Sequence, residues 1–232
     1  MAFSRLGGLA AIGFAVLLLG TNLVLVPAGL PTFGAETGEV SDFFTTNTTL
    51  VGVTSALTPL VWIAAVLFGA AALRVLWPAE RAQGAAWSLV GFAGLLLQNA
   101  TFTGLIATRL ALTTTAQDGT AAATLWALQE ALLTLNGTYL ATAMVGLSVA
   151  GLRTRLIRPW HAMLGLLAAA LQFGGAVVVP PVIDDPGPLG FLGLTGWLLW
   201  VVWIAGYGVV LIRRGDRFSP AQRQPQPAPT TP

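Results

Sequence analysis

The fold class expected from the sequence is all-α: a polytopic membrane protein, a six-transmembrane-helix bundle with N- and C-termini cytoplasmic. Three observations predict it. Hydrophobic residues make up 55% of the 232 residues and charged residues only 9%, whereas a soluble domain of this size carries roughly a quarter charged residues. The charges are confined to short segments between apolar runs, and six of those runs reach the roughly 20 residues that about 30 Å of hydrocarbon requires. Finally, the arginines alternate with the acids from one connection to the next, as membrane insertion demands of an up-and-down bundle.

The spans are expected at about Gly8–Ala28, Leu50–Leu73, Ala85–Thr108, Trp126–Leu152, Trp160–Val179 and Leu189–Ile212, within a transmembrane domain of residues 1–214. The first follows the arginine-bearing start Met1–Arg5. Its apolar stretch exceeds a signal-peptide core and VPAGLP is a poor cleavage site, so a retained helix is expected. The connection Gly29–Thr49 carries Glu36, Glu39 and Asp42 without a basic residue, and its end, FFTTNTTL, is placed at the interface. The second span contains Pro59, which removes one backbone donor and is expected to kink it, with Thr54, Ser55 and Thr58 satisfying freed groups. It emerges at Arg74, Trp77, Pro78 and Arg81. The third carries Gln98 and Asn99 and leaves at Arg109, and the fourth returns to Arg153, Arg155 and Arg158. The fifth stops at Pro180 and Pro181, before Asp184 and Asp185, and the sixth opens on Gly190, Gly193 and Gly196 and closes on Arg213 and Arg214. Residues 215–232 are rich in Pro and Gln and are expected to form a disordered cytoplasmic tail.

All arginines except Arg109 fall in the N-terminus, the second-to-third connection, the fourth-to-fifth connection and the tail. Glu36, Glu39, Asp42, Asp118, Asp184 and Asp185 fall in the other three. The positive-inside rule therefore puts both termini in the cytoplasm. A bias to Ala, Gly, Leu, Val and Arg with no Lys points to a high-GC bacterial genome, and hence to the bacterial inner membrane.

The same composition excludes much chemistry. There is no Cys and a single His, His161, which rules out a disulfide framework, a thiolate nucleophile and a multi-histidine metal or haem centre within one chain. Without Lys no Schiff base forms. A net charge of +2 gives no footprint for nucleic acid. No phosphate-binding glycine loop, dinucleotide fingerprint or nucleophile elbow occurs. No cofactor and no catalytic residue is expected. The expected partners are membrane lipids and either another membrane protein or a second copy of the chain.

Two groups of residues remain as candidates. Glu130 is the one ionisable residue placed within a span, since a carboxyl in hydrocarbon is costly and is usually neutral, paired or functional. Helical spacing puts it on one face with Thr134, Gly137, Thr138 and Ala141, and a hairpin centred near residue 115 puts Asn99 at its depth, with Gln98 and Thr103 nearby. Three readings stay open: a protonated-Glu clasp to Asn99, a proton-carrying or ligand-binding group, and a carboxyl wetted at the outer interface. The second group is Arg153, Arg155, Arg158, Trp160 and His161, an interface anchor compatible with lipid headgroup phosphate. Trp62, Trp77 and Trp126 are likewise expected in interface belts, and Trp200 and Trp203 in helix packing.

The segment GLSVAGLRTRLIRPWHAMLGLLAA (Gly146–Ala169), the acidic outer connection and the closing LIRR (Leu211–Arg214) resemble those of small six-helix actinobacterial membrane proteins filed under domains of unknown function. The resemblance implies the fold over about residues 8–214 and no activity. The expected function is that of a non-enzymatic accessory or regulatory membrane protein; the alternative is a small proton-linked transporter or carrier using Glu130.

Overall fold

The computed structural model describes residues 2–178 and 191–214. The expected tail, the Pro180–Pro181 stop, Asp184, Asp185 and Gly190 lie outside the described residues. Within them the chain forms α1 (Phe3–Leu25), α2 (Thr37–Thr46), α3 (Thr48–Ala56), α4 (Thr58–Ala82), α5 (Trp87–Thr115), α6 (Gly119–Arg153), α7 (Pro159–Val177) and α8 (Phe191–Arg214). Six stretches are long and apolar enough to cross a bilayer: α1, α3 with α4, α5, α6, α7 and α8. The protein is an all-α multi-pass membrane bundle.

Each spanning helix packs chiefly on its neighbours in sequence, and α8 returns to pack on α1, so α1, α4, α5, α6, α7 and α8 close a ring. Lipid tails are as apolar as leucine, so contacts in the membrane depend on close approach and shape rather than on expulsion of water. The sequence supplies that approach with glycine at the crossings. A Cβ added at Gly146 would run into the Gly91 backbone, one at Gly94 would lie 2.6 Å from Ala143 N, and one at Gly8 would lie 2.5 Å from Gly208 O. The last of these seals the ring between α1 and α8. Inside it a single core runs from Phe14 and Phe68 through Leu95, Met144 and Leu147 to Trp200, Trp203 and Tyr207.

The expected disturbance at Pro59 is a one-residue interruption of the helix at Leu57. The chain leaves α3 at Ala56 and re-enters a helix at Thr58, with Pro59 in the first turn of α4, where its missing N–H costs nothing. The Thr54 hydroxyl donates to Leu50 O (2.9 Å) and the Thr58 hydroxyl to Thr54 O (3.4 Å).

At the arginine end α4 runs on through Pro78 to Ala82. Two helices are longer than a single crossing needs. The 29 residues of α5 and 35 of α6 measure about 44 and 52 Å at 1.5 Å per residue, against roughly 30 Å of hydrocarbon. Both begin or end at the arginine side, so the hairpin extends toward the acidic end over more length than one crossing requires.

That hairpin carries a cap. The connection read as an acidic loop contains α2, an amphipathic helix with Val40, Phe43 and Phe44 buried. These pack with Leu25, Val51, Leu112, Ala116, Ala122 and Trp126 in a second core. Trp126 is therefore no belt residue: it is 7% exposed and tilted against Phe44 at 6.3 Å between ring centroids. Glu36, Glu39 and Asp42 remain on the exposed face of the cap.

Candidate functional site

The residues grouped around Glu130 in sequence are not brought together. Glu130 is half-buried, and its Oε1 accepts a hydrogen bond from the backbone N–H of Gly34 at 2.7 Å. Gly34 has φ 74°, a left-handed conformation that glycine adopts without strain. The carboxyl thus latches the α1–α2 connection to α6. Its observed partner is thus a backbone N–H of the α1–α2 connection, a contact that none of the three readings named.

The expected clasp to Asn99 does not form. At the glycines where α5 and α6 approach, Gly91 faces Gly146, Gly94 faces Ala143 and Gly104 faces Leu132, and the turn falls at Ala116–Asp118, just past residue 115. Asp118 caps α6, its Oδ1 accepting from Thr120 N (2.9 Å) and Ala121 N (3.2 Å). The small shift in the turn moves the register across the hairpin. Asn136, not Glu130, lies across from this part of α5: Gln98 Nε2 donates to Asn136 Oδ1 at 3.2 Å. Glu130 sits roughly 9 Å farther toward the acidic end. Thr103 and Thr134 are committed to their own helices, donating to Asn99 O (2.8 Å) and Glu130 O (3.0 Å). Asn99 is 8% exposed with neither side-chain atom bonded.

A different polar cluster, at the arginine end, is buried. Glu80, which is not among the sequence candidates, is 0% exposed. Its Oε2 accepts from Ser88 N at 2.8 Å, so the carboxyl satisfies one of the free N–H groups at the start of α5 and sits at the positive end of that helix. The Ala85 N–H closes the same turn onto Glu80 O at 3.0 Å, and Gly84 supplies φ 65°. Helical spacing held the signal: Ala72, Leu76 and Glu80 recur every four residues on one buried face.

His161 is the second correction. It was grouped with the surface anchor because arginines surround it, yet it is 2% exposed. A neutral or charged imidazole so buried needs a partner, and its Nε2 lies 2.9 Å from Trp203 O. The ring is walled by Trp160 (5.3 Å, stacked), Tyr207 (5.7 Å) and Trp203 (6.2 Å). Tyr207 in turn donates its hydroxyl to Leu147 O at 3.2 Å. A Cβ on Gly165 would collide with Ser148 Oγ and Trp203 Nε1 together, and both those atoms are buried and unbonded. Trp200 and Trp203, 1% exposed each, pack as expected. Arg153, Arg155, Arg158 and Trp160 stay exposed at the bundle end.

No protein-family model, curated protein or solved structure matches this chain. Chemically, the arrangement offers two carboxyls that each hold a backbone N–H and a buried imidazole bonded to a helix carbonyl. Among the described residues no three metal-ligating side chains converge.

Proposed function

We propose that the protein is a non-enzymatic membrane component, an accessory or regulatory part of a larger assembly in a bacterial inner membrane, with both termini in the cytoplasm. The orientation rests on the arginines, which, Arg109 apart, gather at one end. Arg74 lies 5.9 Å from the ring centroid of Phe3, joining that end of α4 to the start of α1, and Arg153, Arg155, Arg158 and Arg213 are exposed on the same side. The positive-inside rule makes that side cytoplasmic.

One observation carries the functional reading: the capped projection at the acidic end. A protein that only had to cross the bilayer would not need helices of about 44 and 52 Å. Here α2 is fixed across the projecting hairpin by an apolar core and by the Glu130–Gly34 bond. Its outer face presents Glu36, Glu39, Asp42, Thr45 and Thr46 to solvent. A rigid, polar surface held outside the membrane is suited to contact with another protein. The candidate carboxyl serves that surface.

The test is gentle detergent extraction followed by native mass spectrometry and cross-linking at the cap. The expected result is a hetero-complex or a defined oligomer that is lost when Glu39 and Asp42 are both replaced by arginine. A strictly monomeric, partner-free species would overturn the reading. So would a Glu130→Gln variant that keeps normal abundance but abolishes a proton-dependent transport phenotype, which would establish the carrier alternative.

A further inference from the structure

The turn from α6 into α7 is fixed from beneath. Leu156 is 0% and Ile157 4% exposed, and the Ile157 N–H donates to Gly151 O at 3.2 Å while Arg155 N–H donates to Leu152 O at 3.1 Å. With that apolar pair held in the core, Arg153, Arg155 and Arg158 are left on the outside, all exposed and with no acceptor among the described residues. Three guanidiniums therefore stand on one short, immobilised turn. Arg155 has φ 59°, the left-handed conformation in which helices usually end on glycine. As backbone, this position would be better served by glycine, so its side chain is where a reason for arginine must be sought. The next helix adds to the positive field: Arg158 is the N-cap of α7 and provides no side-chain acceptor for its first turn.

An apolar stripe begins at the same place. Trp160, Met163 and Leu167 are 60%, 68% and 53% exposed, and their spacing puts them on one face of α7. The Trp160 ring is stacked on His161 at 5.3 Å, and His161 is fixed by its bond to Trp203 O, so the exposed indole has a rigid backing. The exposed arginines of the turn thus immediately precede, along the chain, an exposed apolar face of α7.

We propose that this turn binds the phosphate of an anionic phospholipid, with an acyl chain lying along Trp160, Met163 and Leu167. Arginine pairs with phosphate oxygens through two parallel N–H donors. A zwitterionic headgroup carries an ammonium that three neighbouring guanidiniums repel, so the site selects a net negative headgroup.

The experiment is a lipid titration of the full-length protein in detergent, read by native mass spectrometry. The probes are phosphatidylglycerol and phosphatidylcholine with the same acyl chains, and inorganic phosphate serves as a competitor. Phosphatidylglycerol is expected to bind at least about tenfold more tightly, since each basic residue near an anionic headgroup contributes roughly fivefold. Arg155→Gly is the decisive variant. It eases the backbone, so its melting temperature is expected to hold or rise while phosphatidylglycerol affinity falls about fivefold; phosphatidylcholine binding is expected not to change. Equal binding of the two lipids, or an Arg155→Gly protein with undiminished preference, overturns the proposal. Complete displacement of the lipid by millimolar inorganic phosphate would also overturn it, by making free phosphate the ligand.

Discussion

Two glutamates do the same job at opposite ends of this molecule and could hardly be placed more differently. Glu80, at the arginine end, is 0% exposed and holds Ser88 N at 2.8 Å. Glu130, at the acidic end, is half-buried and holds Gly34 N at 2.7 Å. The bonds are alike in geometry, but the surroundings decide their weight. The Glu80 latch joins two spanning helices in the sealed ring, where water cannot replace a lost partner, and a buried group left unpaired costs its full desolvation. The Glu130 latch joins a loop to a half-buried helix face, where solvent can substitute. The ring should therefore depend on its glutamate, and the cap should depend on its apolar core with the glutamate as a guide.

The largest expected effect tests the second half of that contrast. Phe44 is 0% exposed, 5.1 Å from the Phe43 ring and 6.3 Å from Trp126. Phe44→Ala is expected to destabilise the cap by about 3–5 kcal/mol. Hydrogen exchange should then show Thr37–Thr46 opening while the spanning helices stay protected. Loss of protection in α4 and α7 as well would mean that ring and cap unfold as one unit, and the contrast would be broken.

Glu80→Ala comes next. It leaves the Ser88 N–H without its acceptor and opens a small void, an expected loss of about 2–3 kcal/mol from the whole ring. The readout is the thermal unfolding midpoint in detergent, with cap protection falling only in parallel. An unchanged midpoint would show that the buried latch carries no weight.

Asp118→Ala sharpens the comparison from the cap side. Asp118 accepts from Thr120 N and Ala121 N, and loss of such a cap costs about 1 kcal/mol. Because the first turns of α6 lie in the projection, exchange should rise near Gly119–Ala122 and leave the ring's midpoint unchanged. A lowered midpoint would show that the projection and the ring share their stability.

The contrast also explains what could be read from the sequence. Apolar run length locates hydrocarbon, so all six spans and their alternation were legible. Run length does not locate the ends of helices. Threonine and alanine dilute the runs at Ala111–Thr115 and Gly119–Leu125, yet both are helical, because a helix leaving the bilayer continues on propensity and packing. Glu130, placed within a span on run length, instead meets the connection before α2. The opposite error hid His161 and Glu80. Each stands near arginines or a proline, but helical phase assigns His161 to the face of Gly165, Ala168 and Gln172, and Glu80 to that of Ala72 and Leu76. Phase, rather than neighbours, decides burial. The α2 helix has the same signal in Val40, Phe43 and Phe44, masked by the acids Glu39 and Asp42 beside them.

The smallest effect separates charge from geometry at Glu130. Glu130→Gln keeps a side-chain oxygen where Oε1 now accepts from Gly34 N, and replaces the other oxygen with an amide that water at the membrane edge can solvate. The hydrogen bond survives and only its charge assistance is lost, a change expected below about 1 kcal/mol. Proteolysis of the Val26–Glu36 connection should then quicken by less than about fivefold, with the thermal midpoint of the ring unaltered. Glu130→Leu, which removes the acceptor, should free the connection much further. If the Gln and Leu variants behave alike, the charge rather than the bond holds the loop. If neither has an effect, the outer latch is dispensable and the apolar core beneath α2 positions the cap alone.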